Sequence, residues 1–302
     1  MNSFKMPGLK AHHPLGFLAA CGLLRCLSEW RDFGLVQLSW DGSPSEGRIA
    51  VLHAQRALDI GGVTQVLLCW SKIQRTSAAL KWSTKIDDRG KFRKAAEYAA
   101  ENAKEGRSRE EADLLAALAS DIAYDGGKLE RTKFDLTSGN QRFLESLRTL
   151  AGEPVTVEAV QEALIGPWRY RDTYHSLGWD PATQRLHALR GKLPEKDKES
   201  RSVRAAVFLA AQALPLFPCF AVRGQLRTTG FYRLEGEDWF VWPIWTAPVS
   251  LDTLRSLVAQ RFDEDLRERG VDVVCRCRVC HTGGAEGNYQ VFSYPEEWPW
   301  PR

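Results

Sequence analysis

The sequence predicts an α+β protein, with a helical middle region between strand-rich N- and C-terminal parts. Three observations lead to that class. Val36, Leu38 and Trp40 alternate with polar residues before Asp41-Gly42; capping pairs precede apolar runs through the middle; and the last third returns to short apolar runs broken by proline and glycine. With 302 residues, 44% of them hydrophobic, the chain can fill a sizeable core. No apolar run reaches membrane-spanning length and the first residues do not read as a signal peptide, so the expected place is the cytoplasm, with no membrane partner.

The elements follow in order. Pro14 opens a helix through Ser28 whose residues Leu15, Leu18, Cys21 and Leu24 are too apolar for a surface helix, so it is expected to be central and buried. "LVQLSWDGS" reads as a strand ending in a turn, and the apolar run Val63 to Trp70 as a second strand. Ser108 with Glu111 forms a capping box before the helix "EADLLAALASDIA", stopped by Asp125-Gly126-Gly127. Ser138 with Gln141 forms another before "QRFLESLRTLAG", and Thr156 caps a helix from Val157 to Ile165.

The polar stretch "GKLPEKDKES" (191–200) reads as a loop between an α+β N-terminal and helical region, 1–190, and a strand-rich C-terminal region, 201–302, within one compact unit. Past it come a helix from Val203 to Leu214, the strands "LFPCFAV", "LRTTGFYRL" and "DWFVWPIWTA", and a helix from Leu251 to Arg261 capped by Ser250. A final strand holds a cluster of cysteines. No internal repeat is visible.

That last strand contains Cys277-Arg278-Val279-Cys280-His281, the spelling of a c-type haem attachment site, with Cys275 just upstream. The only methionines are Met1 and Met6, which leaves no suitable axial methionine. Zinc would take Cys275, Cys277, Cys280 and His281, but structural zinc sites draw two ligand pairs from separate knuckles. At strand period Val271, Val273, Cys275, Cys277 and Val279 share one face, and Asp272, Arg276 and Arg278 the other. The preferred reading is therefore buried thiols with outward arginines; zinc on those four residues stays as the alternative, and no cofactor is assigned.

Catalytic motifs are missing. Gly90-Lys91, Gly127-Lys128 and Gly191-Lys192 lack the rest of a phosphate loop, and neither a zinc-protease His pair nor a nucleophile elbow occurs. No catalytic residue is nominated. His12-His13 precedes Pro14 and reads as a pair capping the first helix. The stretch with Arg169, Tyr170, Arg171, Tyr174, His175, Trp179, Arg185, His187 and Arg190 mixes guanidinium and aromatic faces, and reads equally well as ordinary surface.

The formal net charge of +3 is uninformative, but its distribution is not. Ser71 to Lys94 holds eight Lys/Arg against Asp87 and Asp88, and Lys81, Lys85, Lys91, Arg93 and Lys94 form a candidate anion-binding surface. In "AVRGQLRTTGFYRL", Arg223, Arg227 and Arg233 come with glycines, threonines, Phe231 and Tyr232. That combination suits a nucleic-acid backbone, although Thr228-Thr229 equally suits a turn satisfying its own backbone. Arg276 and Arg278 complete the candidate nucleic-acid-binding set.

Four blocks, "LKAHHPLGFLAACGLLRCL", "LTSGNQRFLESLR", "LPLFPCFAVRGQLRTTGF" and "FVWPIWTAPVSLDTLRSLV", resemble in order the proteins encoded with type I-G (formerly I-U) CRISPR effector complexes. That group includes a large subunit, a smaller accessory subunit and a helicase-nuclease-associated family. The resemblance implies a cytoplasmic antiviral subunit that contacts guide RNA, target DNA and other effector subunits. It transfers no catalytic residue. The alternatives are a metal-dependent nuclease with scattered carboxylates, and a protein-binding scaffold using the aromatic tail "YPEEWPWPR".

Overall fold

The computed structural model describes residues 1–43, 47–137, 142–174, 176–183, 201–260, 265–282 and 289–298. It is an α+β fold in which two antiparallel sheets pack against a buried helix. The first sheet has the order β1–β3–β2–β10, from β1 (Asn2–Lys10), β2 (Val36–Asp41), β3 (Ile49–Ala54) and β10 (Val249–Ser250). The second has the order β12–β11–β9–β8, from β8 (Phe231–Leu234), β9 (Glu237–Trp245), β11 (Val271–Thr282) and β12 (Tyr289–Phe292), with β13 (Glu296–Glu297) also on β11.

Helix α1 (Pro14–Ser28) is central, as expected, and every residue from Pro14 to Leu27 is buried. His13 caps it: its Nδ1 accepts the Gly16 N–H at 3.3 Å, and its Nε2 faces the fully buried Asp180 carboxylate at 3.3 Å. Phe17 projects from α1 against both sheets, 6.0 Å from Trp40 on β2 and 5.8 Å from Trp242 on β9. Trp242 and Trp245 then donate their indole N–H groups to the carbonyls of Ala11 and Leu38, so the sheets are tied by hydrogen bonds as well as by packing. One apolar core runs from Met6 to Phe292, joining the sequence before and after 191–200 into one unit; the expected loop itself lies outside the described residues.

Helices surround this centre. α2 (Ile60–Thr76) occupies the stretch expected to be a strand. Val63, Val66, Leu67, Trp70 and Gln74 fall at helical spacing and are buried together, and Asp59 caps the first turn by accepting from Gly62 N–H at 2.7 Å. A short apolar run fits both periods, and the buried face decides. α3 (Arg89–Lys104), α4 (Glu110–Leu118), α5 (Phe143–Gly152) and α6 (Val157–Ile165) follow, the last capped by Thr156 as expected. The Ser138–Gln141 box lies outside the described residues.

The helix expected through Asp125 stops at Leu118. Ala119 takes extended backbone and opens β4 (Ala119–Asp125), which pairs with β5 (Lys128–Arg131); Gly126 and Gly127, at φ 53° and 80°, make the tight turn between them. The expected capping box is also replaced: Ser108 accepts from Glu110 N–H, while Glu111 Oε1 accepts from Ala78 N–H across to α2's far end. α7 (Arg204–Gln212) lies along α1, and α8 (Leu251–Val258), capped by Ser250, ends earlier than expected. Among the described residues no helix is long and apolar enough to cross a membrane.

Candidate nucleic-acid interface

The segment containing Arg223 and Arg227 is a tight hairpin, β6 (Cys219–Val222) with β7 (Gln225–Thr228). Arg223 and Gly224 fill its two-residue turn at φ 53° and 80°, the left-handed conformations that match strand twist. Strand alternation sorts the faces. Leu226 and Thr228 are buried, whereas Phe220, Val222, Gln225 and Arg227 are exposed. Phe220, half exposed at 50%, is the direct cross-strand partner of Arg227. Arg227 and the open Phe220 thus sit opposite one another in the ladder, and neither Arg223 nor Arg227 has an ion-pair partner among the described residues.

The threonines are structural. Thr228 Oγ1 accepts the Lys133 N–H at 3.0 Å and Thr229 Oγ1 donates to the Pro218 carbonyl at 2.8 Å, so the hydroxyls satisfy distant backbone rather than that of their own turn.

The second basic surface gathers at the start of α3. Lys81, Lys85, Lys91, Arg93 and Lys94 are all exposed, and the first turn of α3 carries no acidic residue. Cations at a helix N-terminus oppose the helix dipole, at about 0.3–1 kcal/mol each when exposed, so this charge is not there for helix stability. Asp88 offsets part of it as the cap. It accepts the Lys91 N–H at 2.9 Å, which holds its carboxyl below the usual aspartate range, and it pairs with the Lys91 ammonium at 3.6 Å. Arg93 is engaged, with Nε and Nη2 both on Asp121 Oδ2 at 3.0 and 2.9 Å. Among the described residues Lys81, Lys85 and Lys94 have no ion pair.

The β4–β5 hairpin joins these two patches. On one side Arg89 donates to the Asp121 carbonyl at 2.7 Å and lies 4.2 Å over the Tyr124 ring, while Asp88 bridges to Lys128. On the other, Glu130 accepts the Leu226 N–H at 2.9 Å. Ile122 and Tyr124 stand exposed on β4, at 61% and 47%, adding apolar surface that the helical reading of this stretch hid.

The remaining candidates divide. Arg233 and Lys133 share one carboxylate, Asp238, at 3.4 and 2.7 Å, so a positive charge remains over. Arg278 is exposed on β11, two residues from Cys280 on the same face. Arg276 lies on the outer face, as expected, but the acidic group it meets belongs to its own chain. It is stacked between Trp239 and Trp298, 4.5 and 5.4 Å from the ring centroids, and paired to Glu296 at 2.6 Å. Trp298 of the expected tail anchor therefore packs on its own sheet; residues 299–302 lie outside the description. Tyr170, Tyr174 and Trp179 likewise pack on the core, and His175, Arg185, His187 and Arg190 are outside the described residues.

β11 is one continuous strand, with Cys277 fully buried and Cys280 on the opposite face with Arg278. A bulge between Val271 and Val273 shifts the expected pattern: Val271 joins Val274, Val241 and Leu266 in a small second cluster on the outer side. Among the described residues no three His, Cys, Asp or Glu side chains are placed to hold a metal ion. Burial pushes the Cys275 thiol up to about 12 and Cys277 well above the ordinary thiol range. Native protein at mildly alkaline pH should therefore leave Cys21, Cys26 and Cys277 unmodified by a thiol reagent while the half-buried Cys69 and Cys280 react. Timed labelling read by peptide mass spectrometry checks this, and early labelling of Cys277 would contradict its burial.

No family model matches the sequence, and no curated protein matches it significantly.

Proposed function

We propose that this protein is a non-catalytic nucleic-acid-binding subunit of an RNA-guided antiviral complex of the type I-G CRISPR kind, acting in the cytoplasm beside other effector subunits. The four sequence blocks support the class. The cross-strand register of Arg227 with the exposed Phe220, next to Arg223, which has no ion pair among the described residues, carries the binding surface. Guanidiniums hold phosphate, and an exposed ring accepts a base face. Lys81, Lys85 and Lys94 extend the same surface through β4–β5.

Binding of the purified protein, alone and with its co-expressed subunits, to single-stranded RNA or DNA and to a guide–target hybrid should weaken steeply with salt, because each neutralised phosphate releases counterions. Replacing Arg223 and Arg227 together by alanine should cost about tenfold in affinity per arginine and flatten the salt slope by about one unit for each. Arg233→Ala should cost less, since Asp238 already shares its charge with Lys133. Salt-insensitive binding, or affinity unchanged in the double variant, overturns the proposal.

A further inference from the structure

A cleft of about 760 Å³ opens at the C-terminal end of α1, in the volume range of small-ligand sites. Its apolar wall includes Trp70, Ile73, Pro215 and Pro218, and Ile73 is 44% exposed, a large aliphatic side chain left in the open. Its polar wall mixes carboxylates with the guanidiniums of Arg109 and Arg255. Glu29, Glu110 and Asp113 line it, and Asp113 stands close enough to Glu29 to oppose its ionisation.

The charges do not cancel evenly. Arg25, at the base, serves Glu29 at 3.3 Å and Glu110 together; Arg255, at the rim, serves Glu29 at 3.6 Å and Asp252 at 3.1 Å. Arg109 pairs with Asp113 at 3.3 Å, but its side chain is 80% exposed, so solvent screens that pair. Of the lining residues, three carboxylates (Glu29, Glu110 and Asp113) meet two guanidiniums (Arg109 and Arg255), with Arg25 buried behind them, and the two most weakly held guanidiniums are the outer ones. Glu110 adds an independent sign: its side chain is only 9% exposed, yet Oε1 has no hydrogen-bond partner. A buried carboxylate oxygen without a donor is costly, and a ligand N–H or N⁺–H supplies the missing partner once the cleft wall adjusts.

We propose that this cleft binds an organic cation, a guanidinium or ammonium group carried on an alkyl chain, with the charged head toward Glu110 and Asp113 and the chain along Trp70 and Ile73. The size, the apolar wall and the one extra lining carboxylate fit that amphipathic shape, and carboxylates repel a phosphate. The cation is either a free polyamine or an arginine or lysine side chain of a partner polypeptide.

Calorimetric titration of the full chain with agmatine should give saturable one-site binding at millimolar concentration or below, and the neutral isostere butylurea should give none. Asp113→Asn should weaken agmatine binding about ten- to hundred-fold without moving the melting temperature, since Asp113 does not hold Arg25. Glu110→Gln should weaken agmatine binding as well, but with a lowered melting temperature, since Glu110 holds the buried Arg25. Two further titrations separate the sources: spermidine bound more tightly than a capped arginine tetrapeptide assigns a free polyamine, and the reverse order assigns a partner side chain. Absence of saturable agmatine binding, equal binding of butylurea, or agmatine affinity unchanged in Asp113→Asn overturns the proposal.

Discussion

Gly22→Ala is expected to lower the melting temperature by roughly 4–8 °C. Gly22 lies where α1 crosses α7, and a Cβ there would overlap the Leu209 carbonyl oxygen and come 2.9 Å from the Leu209 carbonyl carbon and 3.0 Å from the Ala213 nitrogen. All three are backbone atoms, so no side chain can rotate away; the helices must part, and α1 is the element both sheets pack on. Overpacking of that kind costs about 3 kcal/mol, while exchanging glycine for alanine inside a helix returns about 1 kcal/mol, leaving a net loss near 2 kcal/mol. Gly152 at the end of α5 is the control. Nothing lies within 4 Å of its Cβ position, so Gly152→Ala should change stability by no more than about 0.5 kcal/mol. Thermal unfolding of both variants beside the parent checks the pair. Equal stability in the two variants would mean that α1 and α7 are not in backbone contact.

What the sequence makes legible is what depends on neighbours along the chain. The apolar face of α1, the Thr156 and Ser250 caps, and the alternation that buries Cys275 and Cys277 all act within a few residues, and all three are present in the structure. What escapes depends on pairing at a distance. Val63 to Trp70 offers apolar residues to either period, and packing beside α5 and α1 selects the helix. Ala119 to Asp125 follows the helical run of α4 without a break in sequence but is drawn into a strand by β5, with two glycines making the turn. Arg276 looks like an outward charge at strand period, and only the return of the chain through Glu296 and Trp298 converts it into a stacked ion pair. The binding surface shows the same division. Arg223 and Arg227 are readable as a hairpin, whereas their connection to the lysines of α3 runs through β4–β5, which the helical reading had removed.

Arg25→Met is expected to destabilise the protein by about 3–5 kcal/mol. Arg25 is 1% exposed, and its three nitrogens face Glu29, Glu110 and the Gln212 carbonyl, the last at 3.1 Å, while its guanidinium lies 5.0 Å from the Trp70 ring centroid. Methionine fills much of the volume but supplies no charge. Glu110, only 9% exposed, would then be buried without its cation, and Glu29, whose carboxyl burial already raises, would lose the neighbour that most opposes that rise. The Glu29 carboxyl, already raised by burial, would titrate higher still in the folded state relative to the unfolded chain. The folded variant then binds protons more tightly, so its stability is greatest at acidic pH and falls as pH rises from the unfolded carboxylate range through the raised folded value. The deficit of Arg25→Met relative to the parent should accordingly shrink at mildly acidic pH and reach its full size at neutral pH. Adding Glu110→Gln should recover part of the loss, because the amide carries no charge to leave unpaired. Urea unfolding of the parent, the single and the double variant at both pH values checks this. A pH-independent deficit would show that Arg25 contributes through packing rather than through its charge.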